Sequence, residues 1–287
     1  MNDWPALRAA RAHDAAARVP FKVNGAPAGS VARVHLPPLR AWPALLQIDA
    51  EGVAMHGDAL ALQAGLATIN HALREQGLIV AWRDEVFALI DPQSQSRLAC
   101  MERAANRFWG TLTLGAHATG YVADRAGRPT HLWIAQRSTT KATDPGKFDN
   151  LIGGGVPDGQ TPLQALWREG WEEAGLDAAV VRGATQGSVL RLMRDLPEGL
   201  QHEWLHGYDL QLPAGLMPRN QDGEVAGFEC LPLAEALHLA SGESMTVDAA
   251  LVTLDFALRR ALLPPALWSR LNDAMQALRV HVAIQSF

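Results

Sequence analysis

Three glutamates within five residues constrain this chain more than any other feature. Glu169, Glu172 and Glu173 stand at positions i, i+3 and i+4, so a helix would present all three carboxylates on one face. Like charges at this spacing repel each other, which favours a positively charged partner. Hard divalent cations such as Mg²⁺ prefer clustered carboxylate oxygens, together with water and substrate phosphates. The pattern indicates a site that handles a pyrophosphate through a metal ion; a solvated acidic face is the alternative.

The residues that flank this helix favour the metal site over a solvated face. The run Gly153-Gly154-Gly155 precedes the helix, where the backbone must turn sharply or approach a ligand. Gly175 follows the last carboxylate as a natural helix end. Arg168 stands four residues before Glu172 and can hold its carboxylate by a charge-assisted hydrogen bond.

The segment from Gly154 to Leu176 resembles the Nudix box, the signature of a family of Mg²⁺-dependent pyrophosphohydrolases. The residues in register are Gly154, Arg168, Glu169, Glu172, Glu173, Gly175 and Leu176. Gln160 stands where the family has its first glutamate, and its amide can still accept a hydrogen bond from Arg168. Gly170 replaces an aliphatic residue at a cost of about 1 kcal/mol in a helix interior relative to Ala. Room for Trp167 or Trp171 is one explanation.

The resemblance implies metal-assisted hydrolysis of a phosphoanhydride by a MutT-like pyrophosphatase. The implied ligands of Mg²⁺, or alternatively Mn²⁺, are Gly154 (through its carbonyl), Glu169, Glu172 and Glu173. The implied catalytic residues are Glu172, Glu173, Arg168 and Glu224. In this set Arg168 only orients a carboxylate. Glu224 is included because in many Nudix enzymes a glutamate from a loop after the box joins the metal site or acts as base, although turn acids are usually just solvated.

Four further stretches resemble the thiamine-pyrophosphokinase-related branch of the Nudix hydrolases. They are residues 115–122, 132–141, 145–150 and 208–210, and residues from about Phe21 through Arg107 resemble the N-terminal domain of unknown function in that branch. The resemblance implies hydrolysis of thiamine diphosphate or its oxidised forms. We expect the organic part of the substrate to lie at the junction of the two domains, because pockets favour such interfaces.

Basic and aromatic residues near the box supply candidates for substrate binding. Arg137, Lys141 and Lys147 cluster in one loop, where they could neutralise phosphate oxygens or serve as ordinary surface charges. Trp133 and Tyr121 could stack on a cationic ring. Most of the nine tryptophans should nevertheless belong to the core.

Length and composition predict two domains and limit the partners. The 287 residues exceed the usual single domain, and the net charge of −5 without a basic run argues against nucleic acid. Only Cys100 and Cys230 are present, without zinc or disulfide spacing, and no apolar run could span a bilayer. We therefore expect a cytoplasmic protein that acts on a small-molecule diphosphate without membrane contact, and a homodimer stays open.

The hydrophobic pattern predicts an α/β (α+β) protein in three parts. An N-terminal α+β domain covers residues 1–111, a Nudix α/β/α sandwich with a mixed sheet covers residues 112–240, and a C-terminal helical segment covers residues 241–287. The predicted helices are residues 4–18, 58–76, 101–108 and 233–240 and two around Pro264. The predicted strands are residues 31–36, 86–90, 114–122, 132–136, 205–212 and 225–231.

Three alternatives to thiamine diphosphate hydrolysis are open. The chain could be a Nudix hydrolase of nucleoside diphosphate derivatives. Residues 141–148 are similar to part of isopentenyl diphosphate isomerase, but that family places a cysteine shortly afterwards, where Leu151 to Gly153 stand here. A binding module without catalysis is the third alternative, for which Gln160 and Gly170 are the arguments.

Overall fold

A small sheet and one long helix form the N-terminal part of the chain in the computed structural model, which describes residues 4–213 and 215–281. The sheet has the order β2-β1-β4-β3, made of β1 (Arg18–Val23), β2 (Ala26–Ala32), β3 (Gln47–Asp49) and β4 (Gly52–Met55). The helices of this part are α1 (Pro5–Ala9), α2 (Leu36–Leu39) and α3 (Ala59–Glu75), and 3-10 turns lie at Ala15–Ala17 and Arg33–His35.

The long helix α3 follows the predicted pattern closely. The Asp58 side chain accepts a hydrogen bond from the backbone N–H of Ala61 and so caps the helix. Leu66, Ile69 and Leu73 recur at helical spacing and are completely buried against the small sheet. Burial of each such side chain contributes about 1.5–3 kcal/mol.

A hairpin connects this part to the rest of the molecule. It consists of β5 (Val86–Ile90) and β6 (Arg97–Glu102), and the short helix α4 (Ala105–Trp109) follows it. Ile90 also pairs with Leu112 in the next strand. The helix predicted from residue 101 therefore begins later, because Met101 pairs with Phe87 in the hairpin.

A mixed ten-stranded sheet that includes this hairpin forms the centre of the molecule. Its main path is β13-β8-β7-β12-β11-β14, and β10 and β9 pair with β7 and β8. These strands are β7 (Leu112–Ala123), β8 (Pro129–Arg137), β9 (Phe148–Asp149), β10 (Ile152–Gly155), β11 (Thr185–Leu196), β12 (Gly199–Gln211), β13 (Val225–Pro232) and β14 (Arg279–Val280). β7 and β12 are parallel, and the other strand pairs of this sheet are antiparallel.

Helices cover both faces of this sheet, which confirms the predicted α/β/α sandwich. They are α5 (Pro162–Ala174), α6 (Ala178–Val181), α7 (Leu233–Ala240), α8 (Val247–Arg259) and α9 (Pro265–Gln276). α5 packs against β7 and β10, whereas α7 and α8 pack against the sheet from the other side. Every residue from Ala249 to Leu258 is buried, as expected for a helix enclosed on all sides.

Several predicted elements differ from the structure. The first helix ends at Ala9 because the carbonyls of Ala10 and Ala12 accept hydrogen bonds from Met193 and Asp195 at the edge of β11. The strand predicted over residues 31–36 ends at Ala32. A helical turn follows it, in which the two prolines occupy first-turn positions that need no N–H donor.

The structure describes both cysteines and the lengths of the helices. Both cysteines are free thiols, Cys100 buried and Cys230 exposed. Within the two described ranges, every helix is too short or too polar to cross a membrane.

Candidate active site

The helix α5 presents its glutamates in two directions. Thr161 and Gln164 form a capping box at its start, and Gly175 (φ 61°) ends it in the left-handed conformation. Glu169 and Glu173 turn inward and are only 8% and 5% exposed. Glu172 lies at the rim, with 40% of its side chain exposed. The three predicted ligands thus share the helix, but only two of them border a cavity.

Arg168 holds two of these carboxylates. Its Nη1 donates to Glu172 Oε2 at 2.7 Å and its Nη2 donates to Glu169 Oε1 at 2.8 Å. Because both terminal nitrogens point at glutamates, Arg168 makes no bond to Gln160, contrary to our expectation. Gln160 Oε1 and Arg168 Nε are both buried without a hydrogen-bond partner among the described residues.

Glycines let the backbone approach these carboxylates. The backbone N–H of Gly153 donates to Glu173 Oε2 at 3.1 Å. A Cβ at Gly154 would collide with the carboxylate of Glu169, so this position needs glycine. We expected Gly170 to make room for Trp167 or Trp171, but its neighbours are Val181 and Ile152. A Cβ at this position would meet them at 2.9 Å and 3.1 Å.

Basic residues of the loop before the box face these glutamates. Lys141 Nζ lies 3.7 Å from Glu173 Oε1 and pairs directly with Glu224. Arg137 Nη1 donates to Asp149 Oδ2 at 2.9 Å. Glu224, Lys141 and Arg137 therefore meet Glu173 around one cavity, as the sequence had grouped them.

Three predicted substrate-binding residues lie elsewhere. Lys147 pairs with Asp144 at 2.9 Å, and its side chain does not border the cavity. Trp133 is 6% exposed between α5 and the sheet. Tyr121 is equally buried on the α8 side, with the guanidinium of Arg260 4.7 Å from its ring centre. The structure does not bring these side chains to the cavity because the strands β7 and β8 direct both aromatic rings into the cores.

The N-terminal part contributes three arginines that the sequence alone did not identify. Arg83, Arg103 and Arg107 border the same cavity. Arg103 pairs with Glu85 at 2.7 Å, and Arg107 pairs with Glu198. The sequence does show that arginine recurs around the hairpin. Only the fold shows that the hairpin lies close to the segment that resembles the Nudix box.

A further pair of carboxylates forms another wall of the cavity. They are Glu203 on β12 and Asp248 on α8. Gln201 Nε2 donates to Glu203 Oε2 at 2.9 Å and to Asp248 Oδ2 at 3.3 Å. Burial, together with the charge of Asp248, raises the pKa of Glu203. The sequence did not single out Glu203, because β12 also carries Gln201, His202 and Asp209 and the predicted strand began only at residue 205.

The cavity is bordered by two acids whose charged forms are disfavoured by burial. It encloses about 150 Å³. Burial raises the pKa of Glu169, and burial together with the charge of Glu169 raises the pKa of Glu173 to about 8. Burial also lowers the pKa of Lys141, which limits how well that ammonium compensates the acids.

The donor chemistry of Glu169 and Glu173 fits a hard divalent cation. Two mutually repelling, buried carboxylates are stabilised by such an ion, and Mg²⁺ usually takes one or two carboxylates along with water and substrate phosphates. Among the described residues, no three His, Cys, Asp or Glu side chains are arranged to hold a metal by themselves. Water and phosphate oxygens would therefore complete the shell.

Family models divide the chain at the start of β7. Residues 113–248 match the NUDIX domain, and residues 5–113 match a domain of unknown function, DUF4743. The chain therefore carries a NUDIX domain preceded by a DUF4743 domain.

Two curated proteins are similar in sequence to most of this chain. The chain is 33% identical over 201 residues to "Nudix hydrolase 24, chloroplastic" of Arabidopsis thaliana, covering 70% of this chain and 54% of that protein. It is 34% identical over 202 residues to "Nudix hydrolase 20, chloroplastic" of the same plant, covering 70% and 53%. The chain thus spans about half the length of the curated relatives it matches.

Solved structures resemble only part of the molecule. The Deinococcus radiodurans protein DR0079 is 23% identical, covers 60% of this chain and 99% of its own, and has a TM-score of 0.45. The NUDIX domain of Shewanella oneidensis NrtR, solved with ADP ribose, is 16% identical, covers 53% and 90%, and has a TM-score of 0.41.

Proposed function

We propose that this chain is a pyrophosphohydrolase that uses Mg²⁺ to cleave a phosphoanhydride in a small organic diphosphate. One observation carries the proposal: Glu169 and Glu173 are buried beside a cavity whose other walls present Arg83, Arg137 and Lys141. Carboxylates for a metal and cations for phosphate oxygens are the two components that such hydrolysis needs. The names of the Arabidopsis relatives agree with this activity.

The residues of the chain divide the work between the metal and the phosphates. Mg²⁺ held by Glu169 and Glu173 would supply positive charge to the phosphates and acidify a bound water. Arg168 keeps Glu169 in place through its hydrogen bond. Lys141 and Arg137 neutralise phosphate oxygens, including the charge on the leaving phosphate.

We assign the proton acceptor to Glu203. Its carboxylate borders the cavity, and burial together with the charge of Asp248 raises its pKa, which makes it a stronger proton acceptor than an exposed glutamate. Glu224, which sequence reasoning favoured, pairs with both Lys141 and Arg83 at the cavity mouth. Glu224 is therefore a positioning residue for these two cations.

We propose thiamine diphosphate or an oxidised analogue as the substrate, cleaved with water to the monophosphate and phosphate. The stretch from Trp133 to Asp149 supports this choice through its resemblance to the thiamine-related branch. The small volume of the cavity also suits a diphosphate group.

A panel of substrates tests the proposal. It contains thiamine diphosphate and its analogues, ADP-ribose, nucleotide sugars, dinucleotides, nucleoside triphosphates and isoprenoid diphosphates, each with and without Mg²⁺. We expect Mg²⁺-dependent release of phosphate with the highest kcat/KM for a thiamine compound. A nucleotide with the highest kcat/KM would refute the substrate, and a chain inactive on the whole panel would refute the activity.

A further inference from the structure

An open groove adjoins the cavity. Ala81, Arg83, Lys141 and Glu224 border both spaces, so the two are neighbours. The inner cavity holds about 150 Å³ and the outer groove about 380 Å³. Small-molecule pockets usually enclose about 300–1,000 Å³. A diphosphate fits the inner cavity, so the rest of an organic diphosphate must extend into the groove.

Trp82 gives the outer groove an aromatic wall. Its Nε1 donates to Asp84 Oδ1 at 2.7 Å. Its ring centre lies 4.8 Å from that of His71 and 4.7 Å from the guanidinium carbon of Arg74, both on α3. No phenylalanine, tyrosine or tryptophan of the described residues borders the inner cavity. Among the described residues that border these two adjoining spaces, Trp82 is thus the side chain suited to a planar ring.

Residues 80–85, here called the Trp82 loop, hold this indole in a strained backbone. Ala81 (φ 57°) and Asp84 (φ 58°) adopt the left-handed conformation without being glycine. The carboxylate of Glu102 accepts hydrogen bonds from the backbone N–H groups of Arg83 and Glu85, at 3.0 Å and 3.1 Å. Such strain persists where the surroundings enforce it, and it concentrates at ligand-binding sites.

Charges tie the Trp82 loop to the opposite wall of the groove. Arg83 Nη1 lies 3.3 Å from Glu224 Oε1, and Glu224 also pairs with Lys141. Resting on the proposed function, we propose that the Trp82 loop is a ring subsite. The substrate's planar aromatic ring stacks on Trp82 while its diphosphate lies in the inner cavity. The DUF4743 domain thereby selects the organic part of the substrate.

Substitution of the indole tests the ring subsite. The measurements are KM for thiamine diphosphate and Ki for inorganic pyrophosphate, which has no ring, used as a competitive inhibitor. We expect Trp82→Ala to raise KM about tenfold without changing the Ki of pyrophosphate, because stacking of a cationic ring contributes roughly this much affinity. Trp82→Phe should retain most of the affinity. Trp171→Ala is the matched control, since Trp171 is 53% exposed on α5 and borders neither space.

The outcomes separate the subsite from the proposed function. An unchanged KM in Trp82→Ala, or equal changes in KM and Ki, would overturn the ring subsite while leaving hydrolysis intact. If the wild-type protein hydrolyses nothing, calorimetric titration with thiamine diphosphate and pyrophosphate decides instead. Selective weakening of thiamine diphosphate binding in Trp82→Ala supports the subsite, and equal affinities or no binding overturn it.

Discussion

Two clusters of carboxylates and basic side chains are built into the same sandwich, and they differ in how completely their charges are paired. The first, the structural cluster, consists of Asp209, Asp255, Arg259, Arg260 and Arg279. Asp209 accepts two hydrogen bonds from Arg259, at 2.6 Å and 2.9 Å, and one from Arg260 at 3.0 Å. Asp255 accepts from Arg259 at 2.6 Å and from Arg279 at 2.9 Å. Both acids are therefore fully engaged.

The second, the cavity cluster, consists of Glu169, Glu173, Lys141, Arg137 and Glu224. Here Glu173 has only Lys141 at 3.7 Å and one backbone N–H, and Glu169 repels it. The two clusters also differ in pKa. Burial would raise the pKa of Asp255, but its arginines outweigh burial and lower it. The comparison teaches that buried acids mark a site when they border space and lack compensation, whereas paired acids mark structure.

The largest expected effect is on stability, in the structural cluster. Asp255→Asn leaves arginine charge buried without its partner and should lower the free energy of unfolding by about 3–5 kcal/mol. Denaturant titration measures this, with the exposed Asp273→Asn as control. A loss below about 1 kcal/mol would show that the cluster is not the structural element described.

The cavity cluster should respond in rate. Glu173→Gln should lower kcat at least ~100-fold, or about 2.7 kcal/mol of activation free energy, because it weakens the metal site. The free energy of unfolding should not fall, since an uncompensated buried charge is removed. The exposed Glu229→Gln is the control, and near-normal turnover of Glu173→Gln at limiting Mg²⁺ would remove the assignment of this helix to the metal.

Glu203 and Glu224, two further carboxylates at the cavity, should differ from each other in their effect on the kinetics. Glu203→Gln should lower kcat about 100-fold through loss of general-base catalysis, which typically contributes about 10²–10⁴-fold. Glu224→Gln should instead raise KM, because Lys141 and Arg83 lose their shared partner. If steady-state kinetics showed a lower kcat for Glu224→Gln and only a higher KM for Glu203→Gln, Glu224 would be the general base.

As the pH falls, stability should be lost first through two buried histidines and only at lower pH through the structural cluster. Burial lowers the pKa of His202 and of His206 to about 4. Between the unfolded value near 6.5 and pH 4 the unfolded chain binds more protons, so stability is lost as the pH falls. Each histidine should contribute a slope of up to about 1.4 kcal/mol per pH unit.

Denaturant titrations from pH 7 to pH 4 measure this slope. His206→Leu should reduce it, whereas the exposed His238→Gln should leave it unchanged. Asp255, with its lowered pKa, should lose its contribution only below about pH 3.8. An unchanged slope in His206→Leu would show that His206 is not the acid-sensitive group.

The smallest effect is expected where the box departs from its family. Gln160 Oε1 and Arg168 Nε both lack partners, so Gln160→Glu places a negative charge near an incompletely paired arginine. Activity should stay within about twofold and stability within about 0.5 kcal/mol. A large loss of kcat would mean that the neutral amide is needed.

Local sequence signals predicted most of the fold. Asp58 and the apolar spacing of α3 placed that helix within one residue at each end, because capping and helical periodicity act over a few residues. We did not predict β11, although Leu190 and Leu192 alternate with Arg191 as in a half-buried strand and its main partner β12 follows directly in the chain. Its further bonds, to the carbonyls of Ala10 and Leu278, join it to residues far away in the sequence.

The site was predictable only where its residues lie close in sequence. The spacing of Arg168, Glu169 and Glu173 describes one helix, and one helix fixes their geometry. Arg83 and Glu203 reach the cavity from other elements, and no local pattern reports such distant contacts. Trp133 looked like a stacking residue because the sequence shows that the residue has an aromatic ring but does not show where its side chain points.

The hairpin of β5 and β6 decides where this chain could be cut and joined to another. Arg97 binds Asp158 through two bonds of 2.7 Å, and Asp158 N donates to the carbonyl of Val86. The family models meet at residue 113, but the hairpin completes the loop in front of α5. A recombination at that boundary would expose a sheet edge and remove the hairpin's arginines. A structural unit that keeps this sheet intact therefore begins upstream of the NUDIX boundary, at the hairpin.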